Sequence, residues 1–230
     1  MCAGTPWGKT RYMIAKRLLD ITISLFAIVL LSPIVLGCIV VLFIFEGCPI
    51  LYISKRHISV DKSISVIKFR TMHKDAHSPK YRLEQRFMHD GFLDIPINCE
   101  VYTRFGRILE RFQIVEVWQF FNVLFNGMSV IGNRPLPRKN VELLKKFENW
   151  DQRFNSPAGI SGISQIVGKL SLTAEERLNL EVQYSKVYLK GNIFFCDLHI
   201  IYHTIKVVLF GKWLPKEEAK KLLSRYSCYT

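Results

Sequence analysis

The sequence predicts an α+β fold that is mostly helical, with one small β-hairpin. An N-terminal membrane helix precedes a compact domain. Three observations carry this. Ile21–Phe45 is an apolar run without a charge, flanked on both sides by basic residues. Helical spacing of apolar residues returns repeatedly after residue 100. Short β-rich stretches occur together only within residues 50–67.

Residues 1–50 form the basic N-terminal segment and membrane helix, and residues 51–230 the cytosolic domain. At ~1.5 Å per residue the apolar run makes a helix of roughly 37 Å, enough to cross a hydrocarbon core of ~30 Å. A crossing helix leaves its positive flank mainly on one side. Here Lys9, Arg11, Lys16 and Arg17 precede the run, and Lys55, Arg56, Lys62, Lys68 and Arg70 follow it. A dip into one leaflet satisfies the rule, because both flanks then stay in the cytoplasm. Pro33 favours a bend at mid-run, and the Ser32 hydroxyl can satisfy part of the backbone that Pro33 frees. An ordinary proline-kinked spanning helix is the alternative.

Ile50–Ile53 and Ile64–Ile67 flank a polar middle containing Asp61-Lys62-Ser63, which reads as a hairpin. Lys68-Phe69-Arg70-Thr71-Met72 follows at once, and the charged stretch 73–90 reads as a loop or short helix. Phe105, Ile108, Leu109 and Phe112 recur at helical spacing, as do Val117, Phe120, Phe121 and Leu124 before Asn126-Gly127. Residues 132–137 and 156–162, rich in glycine and proline, read as loops. Thr173-x-x-Glu176 is a capping box that opens a helix to about Tyr188. Ile193–Phe210 reads as a long apolar helix, too polar to span lipid because of Asp197, His199, His203 and Lys206, and suited to the interface. Pro215–Tyr226 reads as a basic amphipathic helix.

The net charge of +13 implies a polyanionic partner. With a membrane segment present, anionic lipid and lipid phosphates fit better than nucleic acid, for which no binding motif occurs. Six scattered cysteines, without C-x-x-C or metal-ligand spacing, read as reduced thiols.

Three features converge on phosphate. Lys68 and Arg70, two apart at a strand end, are expected to point to one side and grip a diphosphate together. Arg134, between Asn133 and Pro135, has a rigid mount for a bidentate fork. Glu116 is a carboxylate among apolar neighbours and needs an arginine, a Mg²⁺ ion or a proton. Singly, each has a structural explanation. Together, beside a membrane insert, they favour a site for a phosphorylated, lipid-linked substrate.

From Lys16 to Lys212 the chain resembles the bacterial sugar transferase family, the monotopic phosphoglycosyl transferases. The resemblance rests on Lys16-Arg17-x-x-Asp20, Ser32-Pro33, Lys68-Phe69-Arg70-Thr71-Met72 and Thr103-Arg104-x-Gly106-Arg107. It continues through Gln119-x-x-Asn122-Val123-Leu124, Met128-Ser129-x-x-Gly132-x-Arg134-Pro135, Gly159-Ile160-Ser161-Gly162-x-x-Gln165 with Gly168, and Asp197-Leu198. It implies a re-entrant helix broken at Ser32-Pro33, and a mostly helical domain on the cytosolic face of the bacterial inner membrane. It also implies transfer of a phosphosugar from a nucleotide-diphosphate sugar to polyprenyl phosphate at the start of glycan assembly (exopolysaccharide, O-antigen or glycoprotein). The implied cofactor is Mg²⁺, with Glu116 as catalytic residue and metal ligand. Lys68, Arg70, Arg134, Asn122 and Gln165 are then the phosphate- and substrate-binding candidates.

The departures are coordinated. The family's Asp-Glu pair, whose Asp attacks the donor phosphate, aligns with Val115-Glu116, and valine has no nucleophile. Trp118 stands where proline is usual, Ile58 and Asp61 replace glycines, and Asn133 and Ala158 replace prolines. Either Glu116 becomes the nucleophile, or polyprenyl phosphate attacks directly, or the chain is an inactive member. An inactive member would bind nucleotide sugar, polyprenyl phosphate or a partner transferase.

Overall fold

The structure, a computed structural model, describes residues 6–168, 171–191 and 193–227. Its helices are α1 (Pro6–Glu46), α2 (Leu83–Phe87), α3 (Arg104–Arg111), α4 (Gln119–Phe125), α5 (Arg138–Leu144), α6 (Ile163–Val167), α7 (Ala174–Lys190), α8 (Ile193–Phe210) and α9 (Lys216–Ser227). Its strands are β1 (Leu51–His57), β2 (Ser63–Phe69), β3 (Met88–His89), β4 (Phe92–Leu93), β5 (Ser129–Ile131) and β6 (Gly159–Ser161). The fold is mostly α with small β elements, as expected, but the described residues carry three two-stranded pairs rather than one hairpin.

Helix α1 is unbroken through Pro33. The ring removes the donor that would reach Val29, and Ser32 Oγ donates to the Val29 carbonyl at 2.8 Å instead. Its N-terminal part is bolted to the domain by three polar side chains. Lys16 Nζ reaches Asp197 Oδ2 at 2.5 Å and the Ile131 carbonyl at 2.8 Å. Arg17 donates to the carbonyls of Leu124 and Met128. Asp20 accepts from Ser129 Oγ at 2.7 Å and from the Val130 N–H at 2.9 Å. Lys16 and Asp20 are buried, so each charge is matched by a partner, as burial requires. Near its other end, Cys38 and Leu42 join Phe69, Leu109 and Val115 in an apolar cluster. Between these anchorages Leu25, Phe26, Val29, Leu30, Ile34 and Leu36 are exposed. Both flanks of the apolar run therefore contact the same domain.

β1 and β2 form the expected antiparallel hairpin, with Tyr52 opposite Lys68 and Arg56 opposite Ile64. Residues 156–162, expected as loop alone, are not loop throughout. The structure instead pairs β5 with β6 in parallel, Ser129 opposite Gly159 and Ile131 opposite Ser161. A Cβ on Gly159 would lie 2.1 Å from the Gly132 amide nitrogen, so glycine is what lets these backbones approach. Strands of three residues carry too little alternation to be read in advance.

The Thr173–Glu176 capping box is formed in full, and α7 ends at Gly191 with φ 89°. Tyr184, Leu180, Ile166, Cys196, Ile200 and Leu223 build the main core between α6, α7, α8 and α9. Helix α9 spends its apolar face there, through Ala219, Leu223 and Tyr226. Helix α8 is long and apolar enough to cross a membrane by length and composition. It buries Ile193, Cys196, Asp197 and Ile200, and exposes Phe195, Leu198, Tyr202, Ile205 and Leu209 as one stripe at helical spacing.

Candidate active site

The two faces of the hairpin have different tasks. Alternation puts Phe69 on one face, in the apolar cluster against α1. Opposite residues share a face, so Ser54, Arg56, Val66 and Lys68 lie together on the other. Across from that face the chain turns at Gln113, φ 57°, into a short 3₁₀ segment, Ile114–Glu116, which delivers the Glu116 carboxylate. Lys68 Nζ lies 2.5 Å and Arg134 Nη2 3.1 Å from Glu116 Oε1. Arg56, Gln119, Pro135 and Gly159 complete the pocket lining.

Arg134 is held from behind. Its carbonyl accepts from Arg153 Nη2 at 2.8 Å, and Arg153 is paired at 2.7 Å with the buried Glu181. Next to it, Asn133 Nδ2 lies within hydrogen-bond reach of the Arg153 and Glu181 carbonyls and of the Ser156 and Ser185 hydroxyls. Asn133 thus organises the loop that presents Arg134.

Three cations surround one carboxylate. The Glu116 charge holds the Arg134 guanidinium above its ordinary range, while burial and the neighbouring Arg134 charge push Arg56 below its own. The cluster keeps an excess of two positive charges, which suits phosphate oxygens.

Of the candidate residues, Lys68, Arg134 and Glu116 come together. Arg70 does not join them: it lies just beyond β2 and donates to the carbonyls of Glu46, Gly47 and Pro49 at the end of α1. The expectation that it grips one group with Lys68 is corrected, because strand alternation ends at Phe69. Asn122 is buried and donates to the Ser65 carbonyl at 2.9 Å, tying α4 to the hairpin. Gln165 lies on α6, with Oε1 accepting from Ser164 Oγ. Neither lines the Glu116 pocket. Val115 points into the α1 cluster and is 2% exposed. Trp118 joins that cluster, edge-on to Phe69 and stacked on Phe121. Arg56 escaped the sequence reading, although period-two alternation from Ser54 opposite Val66 would have placed it.

A sequence profile described as bacterial sugar transferase matches residues 11–211. The chain belongs to the bacterial sugar transferase family. This family member is 28% identical over 201 residues to the UDP-N-acetylgalactosamine-undecaprenyl-phosphate N-acetylgalactosaminephosphotransferase of Aeromonas hydrophila, covering 87% of this chain and 45% of that one. It is 30% identical over 195 residues to the UDP-glucose:undecaprenyl-phosphate glucose-1-phosphate transferase of Klebsiella pneumoniae, covering 84% and 40%. With the uncharacterized sugar transferase EpsL of Bacillus subtilis it shares 30% identity over 204 residues, covering 89% and 92%. The chain thus spans less than half the length of the first two relatives and nearly the whole of the third.

Glu116 is the one carboxylate lining the pocket, and no cluster of three or more His, Cys, Asp or Glu side chains suited to a metal occurs among the described residues. The His199–His203 pair is no exception, since His199 Nδ1 contacts Tyr226 Oη at 2.8 Å and the Phe195 carbonyl at 3.0 Å. A single carboxylate does not hold a resident ion. It fits Mg²⁺ in the manner of nucleotide sites, where substrate phosphates supply further oxygens.

Proposed function

We propose that this family member transfers a phosphosugar from a nucleotide-diphosphate sugar to polyprenyl phosphate, the first step of glycan assembly. The observation that carries the reading is the Glu116 carboxylate held between Lys68 and Arg134 beside Arg56. Three cations bind and orient phosphates, and Glu116 fixes the cations relative to one another. Glu116 would be the protein ligand of a Mg²⁺ ion brought with the diphosphate, which would supply further charge neutralisation. Asn122 supports the site by tying α4 to the hairpin, and Arg70 by tying the end of β2 to α1.

Direct attack fits better than covalent catalysis. Val115 is turned into the apolar cluster, and the Glu116 oxygen that would attack is engaged by two cations. An acceptor phosphate oxygen therefore bonds to the sugar-bearing phosphorus while that phosphorus loses its bond to the nucleoside monophosphate. The products are a polyprenyl diphosphosugar and the free monophosphate.

Membrane placement belongs to the same reading. Both flanks of α1 touch one domain and the stretch around Ser32-Pro33 is exposed and apolar, which supports a re-entrant insert. Residues 1–50 then form the membrane part and 51–230 a cytosolic domain on the inner membrane of a bacterium. The α8 stripe and the net charge of +13 favour contact with anionic lipid rather than nucleic acid.

The test is nucleoside monophosphate release by detergent-purified protein given polyprenyl phosphate, Mg²⁺ and a panel of UDP-sugars. Mass spectrometry of the protein is run alongside. The expected result is release that Glu116→Gln abolishes, with no phosphosugar adduct. An adduct would refute direct attack. Polyprenyl phosphate binding without release across the panel would make the chain an inactive binder.

A further inference from the structure

A second concavity, about 810 Å³, lies away from Glu116, between the last turns of α1, the segment after β2 and the start of α3. Val41, Phe45, Phe105 and Ile108 give it an apolar wall, and it shares no lining residue with the Glu116 pocket. Three of its polar residues have unsatisfied groups. The Lys74 and Arg104 side chains have no ion-pair or side-chain hydrogen-bond partner among the described residues. Glu46 Oε2 is buried there without a hydrogen-bond partner. Asp75 is neutralised by Lys80, so the cleft keeps a positive surplus from Arg70, Lys74 and Arg104 against Glu46. Arg104 also opens α3, whose N-terminus is capped by Thr103 and favours anions.

From this geometry we propose that the cleft holds the head group of a membrane glycerophospholipid. Lys74 and Arg104 take the phosphodiester, and a donor beyond the phosphate satisfies Glu46 Oε2. That donor is the hydroxyl of a glycerol head group or the ammonium of an ethanolamine one. The chains leave along Phe45, which both lines the cleft and is 78% exposed on the apolar surface of α1. Polyprenyl phosphate is the poorer match, because a monoester carries no donor beyond its phosphate and would leave the Glu46 oxygen orphaned. The lipid would stabilise the junction that Arg70 makes with the end of α1, and the proposal stands whether or not the Glu116 site turns over.

The experiment is native mass spectrometry of the full chain extracted in detergent, with phosphatidylglycerol, phosphatidylethanolamine, phosphatidylcholine and polyprenyl phosphate offered at equal concentration. Choline has the same phosphodiester but no donor. Retention of the glycerol or ethanolamine lipid about tenfold above the choline lipid is expected. The Lys74→Ala/Arg104→Ala double variant should lose most of that retention, and Glu46→Leu should lose the preference over choline. Equal retention of all three phospholipids, or polyprenyl phosphate retention that the Lys74→Ala/Arg104→Ala double variant abolishes, would overturn the proposal. The ratios in the unaltered chain decide this even if a variant fails to fold.

Discussion

At the scale of single residues, Asn133 is the hub of the loop that presents Arg134. Its amide N–H donates to the Pro157 carbonyl at 3.1 Å, and its side chain joins Arg153, Ser156, Glu181 and Ser185. Asn133→Pro removes a donor and the side-chain hub together. A loss of about 3 kcal/mol or more is expected, read as a lowered denaturant midpoint. Val115→Asp places a carboxylate in the cluster with Cys38, Leu42 and Phe69. It should cost about 2–4 kcal/mol and leave monophosphate release no faster than in the native chain. A faster variant would mean that the side chain at 115 can reach the reacting phosphorus. Lys68, Arg134 and Glu116 were legible in the sequence because a charge in an apolar or rigid setting asks for a partner. Arg70 was misplaced because its partners, the carbonyls ending α1, belong to backbone that residue patterns do not describe.

At the scale of elements, the Lys16-Arg17-x-x-Asp20 motif is a docking device for α1. Arg17 holds carbonyls of α4 and the segment after it, Asp20 holds β5, and Lys16 holds α8. Asp20→Ala leaves Ser129 Oγ without its carboxylate partner and the part-buried Val130 amide without an acceptor. It should destabilise by about 2–3 kcal/mol and speed proteolysis between α1 and the domain. Gly106 is a second control point, since a Cβ there would lie 2.0 Å from the Thr71 carbonyl oxygen. Gly106→Ala should push α3 off the segment after β2 and lower the thermal midpoint by several degrees, about 4 °C or more for a domain of this size. The hairpin, the capped α7 and the long α8 were all readable, because each carries a full period of its pattern. The β5–β6 pair was not, because it depends on contact between loops far apart in sequence.

For the whole molecule, the reading that matters most is that both ends of the apolar run serve one domain. Its test is topological. In a background stripped of native cysteines, single cysteines at Lys9 and at Lys55 should both react with an impermeant thiol reagent in inside-out vesicles and in neither case from the other side. Labelling from opposite sides would mean a spanning helix. The two-sided basic flanks made this arrangement visible in the sequence, and Ser32-Pro33 located its midpoint. What the sequence withheld was how deeply the helix is built into the domain.

That integration has a practical meaning for anyone who would work with a water-soluble fragment. Residues 51–230 alone would keep Asp197 without Lys16, Ser129 without Asp20, and Phe69, Leu109 and Val115 bare where Cys38 and Leu42 had covered them. Trimming the insert would yield no free-standing catalytic half. It would remove one wall of the building, and the fragment is expected to aggregate.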